Sequence, residues 1–103
     1  MIVEIADLRI RAGSQVQFEE AIARGVKDVI SAAAGFRRFE VQRCIESPER
    51  YVLLIEWERL EDHTVGFRGS DAFAHWRAIV GPFFAQPPQV EHFERVMGSR
   101  AQG

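Results

Sequence analysis

The chain has 103 residues and a mass of 11.7 kDa, room for one domain and no second. Hydrophobic residues make up 47% and charged residues 27%, a mix that excludes disordered and fibrous classes. Thirteen Lys and Arg against fifteen Asp and Glu leave a formal charge of −2, which argues against nucleic acid or an anionic membrane as the main partner. No apolar run approaches the roughly 18 residues of a membrane span, and the first residues do not read as a secretory leader. The single cysteine, Cys44, cannot form an internal disulfide, and a cytoplasmic protein is expected.

Residues 2 to 10 alternate as a strand, with Ile2, Ala6, Leu8 and Ile10 on one face interrupted by Glu4. Gly13 ends it. Ser14 and Gln17 have the spacing of a capping box, and Phe18, Ile22, Val26, Val29, Ile30 and Ala33 form a helical apolar stripe that Gly35 stops. Residues 36 to 45 alternate again, and Ser47-Pro48-Glu49 is turn chemistry. Residues 51 to 58 are the clearest strand: Tyr51, Leu53, Ile55 and Trp57 share one face, Val52 and Leu54 the other, so it should be central and covered on both sides.

A short helical piece, 60 to 67, precedes a helix capped by Ser70 that runs to about Val80. Gly81-Pro82 closes that helix, and Gln86-Pro87-Pro88 is a stiff linker. A last strand covers 90 to 97, the domain spans 1–97, and residues 98–103 are read as a frayed tail. The order is β-α-β-β-α-β, a ferredoxin-like α+β fold with a four-stranded antiparallel sheet. Two helices cover one sheet face, so the apolar second face calls for a second copy, a homodimer.

Eight of the eleven aromatic residues fall between positions 51 and 93. They could build a core, line a pocket or cover an interface. His63, His75 and His92 lack the spacing of a metal site, so none is expected, and no phosphate loop, nucleophile elbow or C-x-x-C occurs. An RNA-recognition motif shares the topology, but the third strand is acidic and aliphatic rather than basic and aromatic.

Several segments resemble the antibiotic biosynthesis monooxygenase superfamily of dimeric α+β barrels. They are Leu54-Ile-Glu-Trp-Glu58, Leu60-Glu-Asp-His63, Phe67-Arg-Gly-Ser70 with Phe73 and Trp76-Arg77, and Val90-Glu-His-Phe-Glu94. The resemblance implies oxidation of a small aromatic or quinol-type molecule, such as an anthrone or hydroquinone, by O2 without metal, flavin or haem. Protein groups then assist deprotonation and steady the anion in a dry pocket. His63 becomes the candidate base and Arg77 the group facing the anion. Phe67, Phe73, Trp76 and Phe83 would wall the pocket, with His63 and Arg77 its polar groups, and Trp57 and His92 are further candidates for substrate contact. For each there is a plainer reading: a helix-start histidine, a snorkelling arginine, core tryptophans, a structural His92.

Members that degrade haem carry an Asn, a Trp and a His where this chain has Ala6, Phe67 and Arg77, so that activity is not expected. Quinol-oxidising and signal-processing members often carry further histidines where this chain has Phe67 and Ala72. Two other functions stay open on the same scaffold: a non-catalytic dimeric ligand-binding or regulatory module, and a lactone isomerase.

Overall fold

In the computed structural model, which describes residues 1–99, alternating side chains build a four-stranded antiparallel sheet. β1 (Ile2–Arg9), β2 (Phe36–Arg43), β3 (Arg50–Trp57) and β4 (Gln89–Glu94) lie in the order β2-β3-β1-β4. The helices α1 (Gln15–Asp28) and α2 (Asp71–Val80) form the connections that make the ferredoxin-like α+β topology. Strand ends shift by one to three residues from the sequence expectation. Ile10 leaves the ladder for an isolated bridge to Phe84, and β4 begins at Gln89 and ends at Glu94. Most of the expected tail, residues 100–103, lies outside the described residues.

Neither expected side-chain cap forms. Ser14 precedes α1 without a capping bond, so its start rests on the packing of its apolar stripe. Ser70 stands at the start of α2, but its hydroxyl donates backward to the Phe67 carbonyl at 2.6 Å. The expected helix 60–67 is wound wider than an α-helix: residues Asp62–Phe67 are π-helical, and the Arg68 amide donates to the His63 carbonyl five residues back. Among the described residues no helix is long and apolar enough to cross a membrane.

Both helices pack on one face of the sheet. Phe18, Ile22 and Val26 of α1 and Val80 of α2 meet Leu8, Tyr51, Leu53 and Ile55, all buried. Gly25 permits the close approach of α1 to α2: a Cβ there would stand 2.8 Å from the Trp76 ring. Gly25→Val is therefore expected to cost about 1–3 kcal/mol through overpacking, read as a lower midpoint in thermal unfolding. The second sheet face carries half-buried Val3, Ile5, Val52 and Leu54 and the exposed Phe93. Ion pairs Arg38–Glu56 and Arg50–Asp7 lie on the same face.

Candidate functional site

A cavity of about 620 Å3 opens between the helix-covered sheet face and α2. Its floor is aliphatic, from Ala6, Leu8, Leu53 and Ile55, because these positions alternate toward the helices. Phe67, Phe73 and Trp76 line its walls, and the segment from Phe84 to Pro88 closes one side. That segment is pinned by two backbone bonds, from the Arg11 amide to the Phe83 carbonyl and from the Ala85 amide to the Arg9 carbonyl. Phe83 is not in the wall. The 3-10 turn Gly81–Phe83 sends its ring toward Phe18, centroids 6.0 Å apart, and Phe84 lines the cavity instead.

The polar groups gather at one corner. His63, 4% exposed, stacks on Trp57 (centroids 5.4 Å apart, planes 21° apart) and on Phe67. Its Nδ1 lies 2.8 Å from His92 Nε2, one ring donating to the other, and its Nε2 lies 3.4 Å from Glu4 Oε1. The Trp57 indole N–H donates to the same Glu4 oxygen at 2.9 Å. His63, Phe67, Phe73, Trp76 and Arg77 thus line one cavity, whereas Trp57 and His92 support His63 from outside the wall. Glu4, Arg68 and Gln86 join His63 and Arg77 as polar lining, so the cavity is more polar than the two groups expected. Arg77 is exposed and lies over the Phe73 ring, 5.8 Å from its centroid.

Burial sets the charge states. Desolvation lowers the His63 pKa to about 4, with Arg68 and His92 pushing the same way, so the ring is neutral at pH 7. His92 is lowered by burial and by Arg68. Burial raises the Glu4 carboxyl, and the Trp57 N–H and the Arg68 charge only partly offset it. In the sequence Glu4 is only an interruption of an apolar face. A carboxylate there, 5% exposed, was itself the available signal, since such groups are rarely buried without a partner or a task.

The family model for antibiotic biosynthesis monooxygenases matches residues 1–79. The chain belongs to that family. The Bacillus subtilis (strain 168) protein YczJ, itself uncharacterized, is 42% identical over 96 residues, covering 93% of this chain and all of its own. A Bordetella bronchiseptica structure described under the same family name is 38% identical with a TM-score of 0.88, covering 93% of this chain and 97% of that one. SnoaB of Streptomyces nogalater, a cofactor-independent oxygenase solved as a single-residue variant, is 14% identical with a TM-score of 0.79 over 94% of each chain, a likeness of fold. The family match covers β1 to α2, and so includes Glu4, His63, Arg68 and Arg77.

Proposed function

We propose that this family member oxidises a small aromatic or quinol-type metabolite with O2 in the cavity, without a bound cofactor. The observation that carries the reading is an aromatic-walled cavity meeting the buried His63 and Glu4, with the half-buried His92 bonded to His63. An electron-rich substrate supplies the electrons itself, so the protein has to remove a proton, hold the anion and exclude water. For an anthrone-type methylene the step balances as follows. A base takes one C–H proton, and the carbanion forms a C–O bond with O2. The peroxide anion regains a proton, and water is lost to leave a ketone. Proton handling falls to the Glu4–His63–His92 corner, and the Arg77 guanidinium faces the negative charge that develops. Phe67, Phe73 and Trp76 hold the ring.

The test is oxygen uptake with a panel of anthrones and hydroquinones, before and after exhaustive chelation. Uptake that survives chelation, from protein without flavin or haem absorbance, is the expected result. An inert parent across the panel would instead favour the binding-module reading. A cytoplasmic setting belongs to the same proposal, resting on cysteine usage in the sequence alone.

The partner in this reading is a second copy, packed on the sheet face that carries Val3, Ile5, Val52, Leu54 and Phe93. Such a homodimer, a dimeric α+β barrel, should bury at least about 1,200 Å2 in total. Light scattering is expected to give twice the 11.7 kDa of one chain, and Leu54→Asp to lower that mass. A monomer for the parent at low micromolar concentration would overturn the arrangement.

A further inference from the structure

Glu4 and His92 stand directly opposite each other in the β1–β4 ladder, side by side on the helix-covered face. His63 reaches them from the π-helical turn, its Nδ1 2.8 Å from His92 Nε2 and its Nε2 3.4 Å from Glu4 Oε1. Trp57, from β3, donates to that same oxygen. Trp57 and His63 thus meet one carboxyl at the cavity wall, with His92 bonded to His63 beside it. Stability is weak grounds for keeping such a group, because well-packed apolar residues in place of a whole buried ionic cluster are often neutral or better.

We propose that Glu4 is the catalytic residue that removes the substrate proton and returns it to the peroxide, and that His92 is a positioning residue acting through His63. This rests on the oxidation reading above. With Glu4 ionised, His92 donates from Nε2 to His63 Nδ1. His63 then carries its own proton on Nε2, aimed at Glu4 Oε1. The Trp57 N–H holds Oε1, the His63 N–H faces the same oxygen at 3.4 Å, and in this proposal Oε2 takes the substrate proton. The substrate keeps the electron pair of the broken C–H bond, which goes to O2, and the resulting carboxylic acid protonates the peroxide.

Electrostatics favour the same assignment. The charged and titratable groups around Glu4 are His92 from β4, His63 and Arg68 from the turn after β3, and Arg77 from α2 across the cavity. Burial makes the carboxyl a stronger base, while burial and Arg68 keep both imidazoles neutral and weakly basic.

The experiment follows anthrone methylene exchange in D2O under nitrogen, which reads proton removal apart from oxygen, alongside oxygen uptake in air. Glu4→Gln keeps an oxygen for the Trp57 N–H, and it should lower both rates about 10²–10⁴-fold with folding intact by circular dichroism. His92→Phe should lower kcat more than it raises KM. It should also move the acidic limb of the exchange profile to higher pH, because one N–H donor to the carboxylate is no longer fixed. Nitrogen-15 spectra of the histidines, at a pH where Glu4 is ionised, should show the proton on His63 Nε2 and on His92 Nε2. An active parent with an equally active Glu4→Gln variant overturns the role of Glu4 and leaves the oxidation reading standing. An unmoved limb in His92→Phe, or a proton on His63 Nδ1, overturns the role of His92. A parent inert in both assays overturns the oxidation reading and the role of Glu4 with it.

Discussion

Replacing His63 with alanine is expected to lower oxygen uptake with a reactive anthrone or hydroquinone by about 10²–10⁴-fold, the usual loss when acid–base assistance is removed. The side chain touches everything that orders the polar corner: it stacks on Trp57 and Phe67, bonds His92, and faces Glu4. Without it the carboxylate loses an oriented N–H, and water can enter beside it. The loss should fall mainly on kcat, since the aromatic walls that bind the substrate remain. Arg77→Met should act differently. Its guanidinium stays charged and lies over Phe73 at the cavity wall, so turnover should fall further than substrate affinity if it faces charge present chiefly in the transition state. Oxygen uptake and substrate affinity for the two variants, compared with the parent, check both expectations. Parental uptake in both would remove these residues from the mechanism.

The elements were readable because their signals are local. Tyr51, Leu53, Ile55 and Trp57 alternate without exception, and β3 forms with all four buried. The stripe Phe18, Ile22, Val26 likewise made α1 without help from the expected capping box. The site was harder, because it depends on registers that no single segment carries. Glu4 meets His92 only through the pairing of β1 with β4, and His63 reaches both only because its turn is π-helical. An α-helical reading of residues 60–67 correctly paired His63 with Phe67 but gave no reason to aim the imidazole at β4. Phe83 and Phe84 show the same limit on a smaller scale. They are adjacent, both aromatic, and follow a proline, and the 3-10 turn decides which one faces the cavity. Glu4 was legible only as a break in an apolar strand face; its burial there comes from the packing of the fold.

The second large expected effect is a loss of stability in acid. His63 is held neutral by burial, its pKa lowered from the ordinary 6.5 to about 4. In the unfolded chain the same ring takes up a proton as pH falls through 6.5, while the folded protein refuses it until about 4. The unfolded state therefore binds more protons across that window, and stability falls as pH falls. The whole interval corresponds to about 3 kcal/mol, a large part of the 5–15 kcal/mol that holds a small domain folded. His92 is lowered by burial too and adds in the same direction. Glu4 opposes them: its raised carboxyl binds a proton in the folded state before it would in the unfolded one, which stabilises the fold as pH drops through that raised value toward 4.5. The parent should thus lose stability between pH 6.5 and 4 less steeply than Glu4→Gln, in which the opposing group is gone. His63→Phe, which keeps an aromatic ring against Trp57 and Phe67, should flatten the profile. Urea unfolding at fixed protein concentration, every half unit from pH 7 to 4, measures all three. A His63→Phe slope equal to that of the parent would mean that the imidazole is already charged in the folded protein, and that the corner is wetter than its burial indicates.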